Sequence, residues 1–177
     1  LVLQDLGDLN KACDCFSHAL KIDEKIYGEE HPNIARDANN LGGALSALGN
    51  LSAASDCFKR ALEIDTKIFG LFHPNNAANA NNLGRVLYNL GDLSGAKNVF
   101  EQTMAIDEKL YGPNHYRVGT DANNLATVLY DIGDLRAAQA GFQRAVDIFQ
   151  KELAPDHPKT LKARSYLEKI TQEINSG

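Results

Sequence analysis

The chain has 177 residues, 44% apolar and 23% charged, a composition suited to one foldable domain. Its formal net charge of −5 leaves no basic stripe of the kind that displaces counterions from nucleic acid. No apolar run approaches the ~20 residues a membrane span needs, and no basic start followed by an apolar core marks a secretion signal.

Residues LVLQDLGDLN read as the middle of a repeat, which predicts a fragment of a longer protein. They belong to a partial unit, 1–30, whose helix is expected to end at Gly28. The unit carries Cys13 and Cys15, which with Cys57 make an odd number of cysteines without metal-like spacing. On a helix, Cys13 and Cys15 point roughly 200° apart. All three are expected to be reduced thiols in a cytoplasmic protein.

His31 opens the first of three full 42-residue units, at 31–72, 73–114 and 115–156, and a terminal half unit follows at 157–177. The period shows in His31, His73, His115 and His157, and again in Phe16, Phe58, Phe100 and Phe142. Each unit predicts two helices. The first starts near the histidine, where Pro32, Pro74 and Pro158 suit a first helical turn, and stops at Gly49, Gly91 or Gly133. The second starts at Leu51, Leu93 or Leu135, and Gly70 and Gly112 close it in two copies; Ala154-Pro155 predicts a different exit in the last. In the middle unit Ala80, Leu83, Leu87 and Leu90 form an apolar stripe, continued by Leu93, Ala96, Phe100 and Thr103. Gly42, Gly84 and Ala126 are expected where two helices approach closely. The last helix, rich in charge, is read as a solvating cap with Leu161, Leu167 and Ile170 docked inward.

These small residues after a leucine, the alanine past the turn and the phenylalanine four later resemble the tetratricopeptide pattern. Segment HPNIARDANNLGGALSALGNLSAASDCFKRALEIDTKIFG is similar to the 42-residue variety of kinesin light chains and nephrocystin-3-like proteins. The resemblance covers nearly the whole chain. It implies an all-α, right-handed superhelical solenoid of antiparallel helix pairs, one array over 1–177, with first helices lining a concave groove. It also implies a non-catalytic module that holds a protein or peptide ligand there, as an extended peptide or a partner helix, with no cofactor.

Opposite the apolar stripe of the middle unit lie Asn81, Asn82, Arg85, Tyr88 and Asn89. Their equivalents are Arg36, Asn39, Asn40 and Ser46 in the unit before, and Asn123, Asn124, Thr127 and Tyr130 in the unit after. Asparagine offers a donor and an acceptor, so this ladder suits the backbone of an extended peptide; it equally suits a brace between neighbouring helices. Arg36 and Arg85 leave room for an acidic ligand, although the lysine of carboxylate-clamp arrays is missing. The alternative is an intramolecular regulatory or sensor segment, or a self-associating scaffold through the bare apolar edge at Leu1, Val2 and Leu3.

Catalysis needs unlike residues converging at one point, whereas this chain spreads like residues along a ladder, so no catalytic site is expected. Four histidines in successive units stand too far apart to converge on one ion, which predicts a loop-fixing role and no metal. Asp23, Asp65 and Asp107 are expected on solvated outer faces.

Overall fold

A computed structural model of the protein describes residues 8–176. The described residues form eight helices and no strands: α1 Leu9–Tyr27, α2 Pro32–Ala47, α3 Leu51–Phe69, α4 Pro74–Asn89, α5 Leu93–Tyr111, α6 Tyr116–Ile132, α7 Leu135–Glu152 and α8 Pro158–Ser176. The expected boundaries at His-Pro, glycine and leucine all fall where the helices begin and end. Leu1, Val2 and Leu3, the proposed self-association edge, lie outside the described residues.

Two compact units divide the helices, α1–α4 in unit 1 and α5–α8 in unit 2, with the boundary between Asp92 and Leu93. Within each unit every helix packs on its successor. In unit 1 the core joins Leu20, Ile34, Ala38, Ala61 and Ile64. Unit 2 carries Ala122, Val146, Phe149 and Ala163 in one cluster, and Ala126, Ala138, Phe142 and Ile170 in another. Small residues set how close the helices come. A Cβ built on Gly42 would stand 3.0 Å from the Phe58 ring, and one on Gly141 would stand 2.8 Å from the Ala126 Cβ.

Every first helix starts the same way. The Nδ1 of His31, His73, His115 and His157 accepts from the backbone N–H two residues on, at 3.2–3.3 Å. The imidazole thus does what a serine or aspartate does at an ordinary helix start. Three of these rings also stack on the last aromatic of the preceding helix, Tyr27, Phe69 or Tyr111, at 4.3–4.7 Å between centroids. His157 has Leu153 at the equivalent place. His73→Ala is therefore expected to cost about 1–2 kcal/mol, cap plus ring contact. His157→Ala should cost about 1 kcal/mol, the cap alone. Urea denaturation of the two variants measures the difference.

The exits from the second helices also repeat. Gly28 and Gly70 hold φ of 79° and 77° with ψ near 180°, a region closed to side-chain-bearing residues. Ala154 occupies the same register with φ of 145°, so the fourth exit does differ in its turn. It nevertheless keeps the same lock: Thr160 Oγ1 donates to the Ala154 carbonyl at 2.8 Å, as Asn76 Nδ2 donates to the Gly70 carbonyl at 2.7 Å. Ala154→Gly is expected to stabilise unit 2 by about 1 kcal/mol, because glycine takes this backbone without strain. Thermal melting checks it.

Three expectations need correction. Asp65 and Asp107 are only 3% exposed, and the Asp23 side chain 18%; they face the following helix, not solvent. Asp65 accepts from Asn79 Nδ2 at 2.9 Å across the α3–α4 contact. Burial pushes its carboxyl above the usual carboxylate range, against the pull of Asn79 and His73. Leu161 is 49% exposed, because Thr160 and Ala163 take the inward positions of α8; Ile170 is buried and Leu167 partly so. Leu90, at the end of the middle stripe, is a C-cap residue and 47% exposed.

Candidate peptide-binding cleft

Helices α2 and α4 start from equivalent His-Pro turns and touch within unit 1. Because they repeat each other's register, the polar stripe of one meets the polar stripe of the other. Asn82 Nδ2 donates to Asn39 Oδ1 at 3.0 Å, tying the two helices by their amides. Beside this rung lies a cleft of about 420 Å³. Its apolar base comes from Phe16 of α1, Phe58 of α3 and Val86 of α4. Asn39, Asn40, Gly43 and Ser46 of α2 line one side, Asn82, Arg85 and Asn89 of α4 the other.

Chemically the cleft is a greasy floor with an amide rim and one cation. No acidic side chain lines it. Arg85 is exposed and makes no ion pair among the described residues. The side chains of Asn40 and Asn89 likewise make no hydrogen bond there, so donors and acceptors stand available at the rim. A Cβ built on Gly43 meets nothing within 4 Å. The missing side chain at that position is what leaves the cleft open, since the register places Arg85 and Thr127 at the same point of the other copies.

The remaining candidates are placed elsewhere. Arg36 does not line the cleft; its Nε donates to Asp37 at 2.9 Å and its Nη2 lies 3.4 Å from Asp23. That hydrogen bond to Asp37 raises the guanidinium pKa further. Asn81 and Tyr88 are half-buried and outside the cleft lining.

A family model for the tetratricopeptide repeat matches residues 1–67, 39–109 and 75–151. The chain belongs to the tetratricopeptide repeat family. Among solved structures it is similar to a putative kinesin light chain of Podosopora anserina with nearly identical TPR-like repeats. A singly substituted form of that protein matches with a TM-score of 0.86 at 24% identity, over 98% of this chain and 82% of that one. The unsubstituted form matches with a TM-score of 0.85 over the same shares. BtubC (BKLC) of P. vanneervenii matches at 0.79 and 20% identity, over 99% of this chain and 78% of that one. At these identities the likeness concerns the fold. No curated protein sequence matches the chain. Tetratricopeptide repeats are in general non-catalytic scaffolds for protein interactions, and no enzymatic family is indicated.

In the tetratricopeptide units of the second half, Tyr130 and Thr127 are taken up by their own fold. Tyr130 Oη donates to Glu173 of α8 at 2.9 Å, and Lys169 Nζ sits 4.9 Å from the Tyr130 ring centroid. Thr127 Oγ1 turns back to the Asn123 carbonyl at 2.9 Å. Asn123 and Asn124 are half-buried. Sequence reasoning missed Phe16 and Val86 as cleft floor. Phe58, Phe100 and Phe142 are all core at 2% exposure or less, so the ladder marks Phe16 as core too; in fact it is half-buried and reaches the cleft. Among the described residues no helix is long and apolar enough to cross a membrane. No group of three or more His, Cys, Asp or Glu side chains among them is placed to hold a metal.

Proposed function

We propose that this tetratricopeptide chain is a non-catalytic, cytoplasmic recognition module that holds an extended peptide in the α2–α4 cleft of unit 1. The observation that carries the proposal is the cleft itself: an apolar base, unengaged amides on both rims, and Arg85 with no acid to satisfy it. Such a rim favours a peptide that places an apolar side chain on Phe16 and Phe58 and a carboxylate near Arg85. The amides of Asn40 and Asn89 would take its backbone groups. An affinity of order micromolar, about −8 kcal/mol, suits reversible recruitment.

A structural role is favoured for the α6 face, where α8 already engages Tyr130.

Selection from a random peptide display library tests the cleft, run on the wild-type chain and on a Gly43→Leu variant in parallel. Enrichment of acidic, apolar-anchored peptides on the wild type alone supports the proposal. Equal enrichment on both chains removes it.

A further inference from the structure

At one register of the repeat, three of the four second helices meet the next first helix through polar side chains; the fourth has Phe149 and Ala163 there. In the first copy Asp23 and Asp37 share the guanidinium of Arg36. In the second, one acid is replaced by an amide, giving Asp65 and Asn79. In the third both acids remain, Asp107 of α5 and Asp121 of α6, and Thr120 stands where the first copy has Arg36. The Thr120 hydroxyl donates to its own helix, to the Tyr116 carbonyl at 3.1 Å.

Asp107 is 3% and Asp121 1% exposed, and their carboxyl groups are hydrogen-bonded to each other. Two carboxylates are acceptors only, so a bond between them requires that one carry a proton. Two buried negative charges in contact would also repel strongly in a medium that screens them poorly. The other Asp107 oxygen, Oδ1, is sealed from solvent without a partner, so nothing at that atom compensates a full charge.

Burial acts most strongly on Asp107 and holds its carboxyl above the usual carboxylate range. The charged surroundings do not reverse this. Arg117 and His115, on the α6 side, favour the ionised form. Arg117 also lies against aromatic rings, 5.4 Å from the Tyr111 centroid and 6.0 Å from that of Tyr116. On α5 itself Glu108 faces Arg144 of α7, which neutralises it away from the pair.

We propose that Asp107 and Asp121 form a proton-held latch between α5 and α6, closed while one proton is shared and weakened when it is lost. The sign follows from linkage. An acid raised in the folded state binds its proton more tightly there than in the unfolded chain. Stability is then full below the unfolded carboxylate value and falls as pH rises through the folded one. Unit 2 is thus favoured by acid, the reverse of the usual salt-bridged aspartate.

The second copy suggests the test, since Asp121→Asn converts the third pair into the Asp65–Asn79 type. Asp65 is raised as well, so the informative quantity is the difference between variant and wild type, not the slope of either alone. Urea midpoints of the full chain, measured from about pH 4 to about pH 8, are expected to coincide at the acid end. The variant should become progressively the more stable as pH rises. A gap independent of pH, or a wild type that gains on the variant with rising pH, overturns the latch. Carboxyl carbon NMR on the unmodified chain gives a reading free of substitution. One of the two carboxyl groups should stay protonated above the ordinary carboxylate range. If both ionise within that range, the shared proton does not exist.

Discussion

A Phe142→Ala variant is expected to lose about 3–5 kcal/mol of stability, the cost of emptying a large, closed core site. Phe142 is 0% exposed and lies in the cluster with Ala126, Ala138 and Ile170. Its ring stacks on Tyr166 of α8 at 5.2 Å between centroids, so one side chain joins α6, α7 and α8. Ala126 and Ala138, the small neighbours in its cluster, leave little that can move in to fill the space. Against a typical total of about 5–15 kcal/mol for a native domain, such a loss is a large share of the whole. Phe16, at the equivalent position of the first copy, is half-buried at the cleft, so Phe16→Ala should cost clearly less. Denaturation of both variants decides the point, and equal losses would mean that the two phenylalanines share one environment after all.

Gly43→Leu is expected to abolish peptide capture while leaving the fold intact, a loss of at least about tenfold in affinity. Helical glycine costs about 1 kcal/mol relative to alanine, so any side chain here removes a local penalty. Position 43 has open space where its Cβ would go, and its backbone is helical without positive φ. A leucine therefore extends into the cleft without pushing on neighbours. Arg85→Glu acts on the same cleft through charge. It should weaken acidic peptides most and lose its effect at high salt, where exposed charges are screened. Titration calorimetry of a selected peptide, with circular dichroism of each variant, separates lost binding from lost folding. Should Gly43→Leu bind as the wild type does, the ligand lies elsewhere.

The 42-residue period made the helix boundaries legible, because caps and stops are local: His73 and Pro74 start a helix wherever they stand, and Gly70 ends one. Gly42 was readable as a close approach because a helical glycine needs a packing reason, and the Phe58 ring supplies it. What lies across a helix was harder to read. Asp65 and Asp107 look like surface residues until the next first helix covers them with Asn79 and Asp121. Leu161 looks like core until Thr160 and Ala163 turn inward instead. Part of the polar stripe lines the α2–α4 cleft, yet Arg36 is engaged by Asp23 and Asp37, and Tyr130 by Glu173. Periodicity fixes an angle around one axis. Which neighbour fills that angle depends on residues far away in the chain.

The amide rung between Asn39 and Asn82 has a direction. Asn82 donates and Asn39 accepts, so the leftover valences are N–H on the α2 side and a carbonyl oxygen on the α4 side. A visiting amide laid across the rung matches only with its oxygen toward α2 and its hydrogen toward α4. A hydroxyl, which both gives and takes, would fit either way round. Exchanging the rung's polarity would therefore reverse the amide orientation it accepts without altering the composition of the cleft.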